Sequence, residues 1–256
     1  MTARGVWAVL RFEGKKSLRL SRAVWWAILA LVPLFLALSI RSGAPSAFRR
    51  EGEVAAYLYI LAVRALPSLA LLLWAAPAIH AETESKAWTY VASSPRGKSS
   101  LVLGKYVLAV LWAAAVGLIA VSACLLGPFR EHAGRLWPVF AELVALSSAA
   151  YGALYFLLGA IALRRAMVVA VAYTFAIEVA LTLVPAVVNQ LTIDYRLRSI
   201  LAGDLGFAAS IARVSREFVA SGSPPGQAAI LGLYALAALA ASLAVVSRRQ
   251  LVAAQE

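Results

Sequence analysis

One eight-residue string in this chain has the residue types for handling a nucleotide. Ala92–Ser99, ASSPRGKS, fits the loose pattern of a phosphate-binding loop, with Ala92 in the first glycine position and Gly97, Lys98 and Ser99 closing it. Such a loop works when a buried parallel strand delivers it and a helix N-terminus receives the phosphates, with a second acidic strand for magnesium. Here it lies within residues 80–105, between two long apolar runs, where no nucleotide-binding fold can be housed, so the match is coincidental. Other chemistry lacks parts. His80 and His132 are far apart and stand in no metal-ligand spacing, the single Cys124 sits inside an apolar run, and no Ser, His and acid set converges. No catalytic residue and no metal site is expected. What remains is a set of ionisable residues inside apolar runs: Glu178, Arg64 and Glu142. A charge at membrane depth costs about 2.5–3.5 kcal/mol on insertion scales, so such a group faces a cavity or a partner.

The elements that position these groups follow from hydropathy. The chain is 62% hydrophobic and 14% charged, with a mean hydropathy of +0.82, far above a soluble domain. A hydrocarbon core of ~30 Å needs about 20 apolar helical residues to cross it. Six runs qualify, at about 23–40, 58–79, 106–126, 139–163, 166–188 and 228–246. In lipid each must satisfy its own backbone, hence be helical, and prolines 33, 67, 77 and 185 can only kink them. The expected fold is an all-α integral membrane protein, a six-transmembrane-helix bundle forming a single membrane domain over 1–256. Glu178 stands 12 residues into the fifth run, about 18 Å from its inner end at ~1.5 Å per residue, near the midplane where it cannot snorkel. Arg64 and Glu142 lie toward the outer ends of their runs, placed to pair with each other or to reach headgroups. All three are candidates for a translocation path.

Basic residues set the orientation. With the N-terminus inside, the inner segments hold fourteen Lys and Arg against four acids, and the outer ones nine against six. Both termini are therefore expected to be cytoplasmic. The net charge of +12 follows from this bias and from attraction to anionic membrane lipids, without a nucleic-acid partner. Residues 1–22 have helical spacing, with Arg4, Arg11, Lys15, Arg19 and Arg22 on one side and Val6, Val9, Leu10 and Leu20 opposite. This predicts an N-terminal interfacial amphipathic helix, its basic face on headgroups and its apolar face in the acyl boundary, although Glu13 falls on the apolar side. The loop at 189–227 carries an apolar stripe, Phe207, Ile211, Val214 and Phe218, ended by Gly222, Pro224, Pro225 and Gly226. That predicts an external helical segment between spans five and six.

The bilayer does not account for residues 80–105. Residues 85–92 can form a short helix, and Pro95 with Gly97 turns the chain back. Glu82, Glu84, Lys86, Arg96 and Lys98 supply charge, while Trp88 and Tyr90 supply contact surface enriched at protein interfaces. The acidic pair Glu82 and Glu84, then Trp88–Thr89, then Ser94–Pro95–Arg96, then Gly104–Lys105 resembles the permease subunits of type-2 ATP-binding-cassette (ABC-2) transporters. The layout of the whole chain is similar too. The resemblance implies a permease of an exporter or flippase in the plasma (inner) membrane of a prokaryote. It implies that Glu82, Glu84, Lys86, Trp88, Thr89, Tyr90, Pro95, Arg96 and Lys98 form a cytoplasmic coupling helix and loop between spans two and three, engaged by a separate cytosolic ATPase. ATP and magnesium would then bind the partner and no cofactor this chain, and a second permease copy or close relative would complete the path. Two other classes fit the composition: a self-contained proton-coupled carrier with Glu178 and Arg64 as relay, and a non-transporting membrane anchor for a cytosolic partner.

Overall fold

The computed structural model describes residues 3–17, 20–44, 47–84, 97–179, 190, 192–206 and 223–248. Every regular element among them is helical. In chain order these are α1 (Ala3–Ser17), α2 (Leu20–Gly43), α3 (Glu51–Leu58), α4 (Leu66–Trp74), α5 (Ala78–Glu84), α6 (Gly97–Leu126), α7 (Ala133–Ile161), α8 (Ala166–Tyr173), α9 (Ile193–Asp204) and α10 (Pro224–Arg248). Two π-helical segments, Tyr59–Ala65 and Thr174–Val179, continue α3 and α8. Five stretches among the described residues are long and apolar enough to cross a membrane: Val24–Gly43, Glu51–Glu82, Gly97–Leu126, Arg130–Ile161 and Pro224–Arg248. Of the expected fifth run, residues 180–188 lie outside the described residues.

The hub is α7, which packs against α6, α10, α4, α9 and α8. Tyr151, Tyr155, Phe140 and Phe156 along it are fully buried. By contrast α2 is peripheral, fixed by Trp26, which stacks on Trp112 of α6 at 5.9 Å and meets Trp74 edge-on at 5.0 Å.

Proline chemistry shapes the second span. Pro67 has no N–H for the carbonyl of Val63, four residues back, and the hydroxyl of Ser147 on α7 donates to that oxygen at 2.6 Å. The π-helical segment ends just before this proline, where the ladder is already interrupted. Pro77 then ends α4, and a turn at Ala75–Pro77 leads into α5. That turn sits on Gly159 of α7, where any Cβ would collide with the carbonyl oxygen of Ala76. Gly159→Val is therefore expected to lower stability by about 1–3 kcal/mol through overpacking. Thermal unfolding of the purified chain in detergent checks this.

The N-terminal helix packs along the bundle: its apolar side lies against α6, where Gly104 leaves room for Val9, whose Cγ1 would lie 2.6 Å from a Cβ there. Glu13, on that same side, meets Lys105 of α6 at 3.9 Å. The outward side carries Trp7 and Phe12, 67% and 70% exposed, together with Arg11 and Lys15.

Candidate functional site

The helical stripe expected at Phe207, Ile211, Val214 and Phe218 lies outside the described residues, and α9, not foreseen earlier in the same loop, assembles a heavily charged interior among the described ones. Thr192 caps it, its hydroxyl accepting from the N–H of Tyr195 at 3.2 Å. From there the helix extends about 18 Å, and at its far end the guanidinium of Arg135 donates to the carbonyl of Leu205 at 2.9 Å and to Glu51 at 3.2 Å. Its first turn is buried in the bundle. Asp194 is fully buried, and Glu178, in the π-helical segment after α8, is 2% exposed.

Glu178 accepts four hydrogen bonds. Tyr151 on α7 donates at 2.9 Å and Tyr173 at 3.4 Å, while the backbone N–H groups of Ile193 and Asp194 donate at 3.4 and 3.3 Å. Its carboxylate thus occupies the N-terminus of α9, where orphan amides and the helix dipole favour negative charge. The second carboxylate, Asp194, has both oxygens engaged. Tyr59 donates to Oδ1 at 2.7 Å and the Nε of Arg64 lies 3.5 Å from the same oxygen. Arg198, one turn along α9, donates to Oδ2 through Nε at 2.9 Å and also through Nη2. Arg64 closes the ring, its Nη2 donating to the backbone carbonyl of Glu178 at 2.6 Å.

Two carboxylates and two guanidiniums therefore lie together. The two acids are buried while the guanidiniums are about a quarter exposed, and pairing with the guanidiniums and tyrosine donors offsets the desolvation of the acids. Below Glu178 a second polar chain runs from Ser68 to Tyr155 (2.6 Å) and on to Thr174 (2.8 Å), which also bonds the carbonyl of Ala170. Both π-helical segments face this interior, one carrying Tyr59 and Arg64 and the other Thr174 and Glu178. The arrangement holds no nucleophile paired with a base, and no group of three His, Cys, Asp or Glu side chains among the described residues could bind a metal. Its capability is mechanical and electrostatic: it ties the first turn of α9 to the second span and to the segment that follows α8.

Of the three intramembrane candidates, the structure brings Arg64 and Glu178 together. Glu142 lies apart, exposed on α7, so the alternative in which Arg64 pairs with Glu142 gives way to Arg64 with Asp194, a fully buried acid better able to hold a guanidinium. Sequence reasoning missed Asp194, Arg198, Tyr59, Tyr151 and Tyr173. The usable signal for α9 was local: Ile193, Leu197, Ile200 and Leu201 at helical spacing, with Asp194 and Arg198 four apart.

At the opposite end of the bundle lies the base of the 80–105 hairpin. Lys105 bonds Glu82 at 2.5 Å and the carbonyl of Ala78 at 3.3 Å, in addition to its contact with Glu13. One ammonium thus joins α1, α5 and α6. Glu84 closes α5 and Lys98 lies in the first turn of α6. Lys86, Trp88, Thr89, Tyr90, Pro95 and Arg96 lie outside the described residues.

Compared with known proteins, residues 9–189 match the family model described as "ABC-2 family transporter protein". The chain belongs to the ABC-2 transporter family. No individual curated protein matches it. This ABC-2 permease is an integral membrane transport component, and membrane proteins of the family generally work with cytosolic ATPase partners. The matched residues include the hairpin and Glu178 but stop before α9. Asp194 and Arg198 therefore lie beyond the part of this permease that the family model describes.

Proposed function

We propose that this permease is the membrane-spanning subunit of an ATP-driven exporter or flippase, worked by separate cytosolic ATPase subunits that bind ATP and magnesium. Six spans form each half of the path, the 166–188 run supplying the fifth. A second copy or close relative forms the other half, in the plasma (inner) membrane of a prokaryote with both termini cytoplasmic. The hairpin at 80–105 is the handle, with Glu82, Glu84, Lys86, Trp88, Thr89, Tyr90, Pro95, Arg96 and Lys98 as the surface the ATPase engages.

The observation that carries this reading is the family match, which spans the hairpin. Lys105 adds a mechanical argument. Its bonds to Glu82 and Ala78 of α5 fix the two flanking helices as a unit, so a force on the hairpin is delivered to both. Charge reversal at Glu84 is expected to weaken co-purification with the ATPase about tenfold while membrane insertion is unchanged, the effect of a like charge placed in an interface. Undiminished co-purification removes the coupling assignment.

A second reading, a self-contained proton-coupled carrier relaying through Glu178 and Arg64, draws on the burial of that carboxylate. The two readings part in proteoliposomes. Uptake driven by a pH gradient in the chain alone favours the carrier, whereas transport that requires ATP and the second protein favours the permease.

A further inference from the structure

We infer that the outward face of α1 is a binding site for the headgroup of an anionic phospholipid. On a wheel of 100° per residue, Trp7, Arg11, Lys15 and Phe12 fall in that angular order within a sector of about 140°, so the two cations are flanked by the two aromatics. A shallow groove of about 420 Å³ is lined by these four residues and Ala8. The opposite sector, with Val6, Val9, Leu10 and Glu13, faces α6.

Depth places the groove at the membrane boundary. The contact of α1 on α6 is at Gly104 and Lys105, immediately before the apolar stretch that starts at Tyr106. On α2, which follows, Val24, Trp25 and Ile28 are exposed. An indole and a phenyl ring at that level partition into the interfacial region. Between them a guanidinium can grip a phosphodiester with two parallel N–H bonds, and the ammonium one turn away adds a second positive charge.

The charge balance selects an anionic lipid. Glu13 is the sole acid in α1, and on the outward face it would repel a phosphate. It points instead to α6, where Lys105 neutralises it, so the outward sector is purely cationic. The anomalous acid on the apolar side of the helix is thereby explained.

The test is native mass spectrometry of the delipidated full chain in detergent, titrated with phosphatidylglycerol and with phosphatidylcholine of the same acyl chains. Each basic side chain near an anionic surface strengthens attraction roughly fivefold, so R11Q/K15Q is expected to lose about 25-fold in phosphatidylglycerol affinity. Phosphatidylcholine retention stays as it was. The variant R11K/K15R keeps phosphatidylglycerol, and W7A/F12A weakens both lipids alike. Unchanged phosphatidylglycerol retention in R11Q/K15Q overturns the proposal. So does an equal loss in R164Q/R165Q, an exposed basic pair elsewhere, because the attraction would then be diffuse. R11C labelling by a water-soluble maleimide that the ATPase blocks, and lipid does not, would assign the face to a protein and also overturn it. None of these readouts depends on ATP-driven transport.

Discussion

Asp194→Asn is expected to destabilise the folded chain by about 3–5 kcal/mol, the cost of breaking a buried ion pair from one side. Asn is nearly isosteric, so no cavity forms and the change is electrostatic. The substitution removes the negative charge that faces two guanidiniums, leaving Arg64 and Arg198 near each other without the carboxylate that both contact. The amide also has one oxygen where the carboxylate had two. It can accept from Tyr59 and Arg64 or from Arg198, and in either orientation its NH2 group points at a donor. Unfolding in detergent, followed by helical signal against temperature or denaturant, measures the loss. Glu142→Gln serves as reference, since that exposed acid is expected to change stability by less than about 0.5 kcal/mol. Removing one of the stranded cations in D194N/R198M should recover part of the loss, because the two sites couple. If D194N unfolds together with E142Q, the network contributes nothing to the fold.

The contrast between what the sequence disclosed and what it concealed follows the range of the interactions. Spans are written locally: an apolar stretch such as 106–126 falls inside one helix, α6, and needs no knowledge of its neighbours. Gly152 and Gly159, seven apart in the same run, take meaning only from other segments: the structure seats Val110 against the first and the Ala76 carbonyl against the second. The interior of α9 was hidden for the same reason. Its sequence, IDYRLRSILAGD, carries four charges in twelve residues, which reads as a solvated loop. Its buried Asp194 is held by Arg198 one turn along and by Tyr59 and Arg64, which come from a segment about 130 residues away, 135 in the case of Tyr59. Glu13 is a related case. Its position on an apolar face counted against a helix until Lys105, on another element, was brought beside it. The first π-helical segment had only Pro67 as a local sign, and the hydroxyl that makes that proline tolerable belongs to α7.

The second span is the element common to both polar clusters. Its π-helical segment holds Arg64 and Tyr59 against Asp194, and its other end holds Glu82 against Lys105. Between them lies the turn at Ala75–Pro77 seated on Gly159. Under the proposed coupling, a force on the hairpin enters α5 and meets this turn before it reaches Arg64. At the turn the regular ladder is interrupted, with the N–H groups of Ala75 and Ala76 both on the Leu71 carbonyl and that of Ala78 on Ala75, so this is the place where α5 can pivot relative to α4. Motion of the hairpin and a shift at the first turn of α9 are then linked through one chain segment, and the Asp194 network is what a shift would have to strain.

Glu178→Gln separates a role in that motion from a role in holding the fold. Gln keeps one carbonyl oxygen for the four donors that converge on Glu178, and its NH2 group faces donors on the other side. The charge at the N-terminus of α9 disappears with the second acceptor. Both losses are smaller than at Asp194, because no cation is stranded: the link to Arg64 runs through the backbone carbonyl of Glu178, which the substitution leaves in place. The expected stability cost is about 1–2 kcal/mol, in the range for one unsatisfied buried polar group. The first turn of α9 is held more weakly, so the balance between its docked and undocked positions shifts by a similar free energy, about five- to thirtyfold in population. Transport per folded molecule, read as substrate-stimulated ATP turnover of the reconstituted complex, is therefore expected to change by more than the amount of folded protein does. Reduced yield with normal specific turnover would make Glu178 a fastening between helices and nothing else, and the docking of α9 would then have no part in the transport cycle.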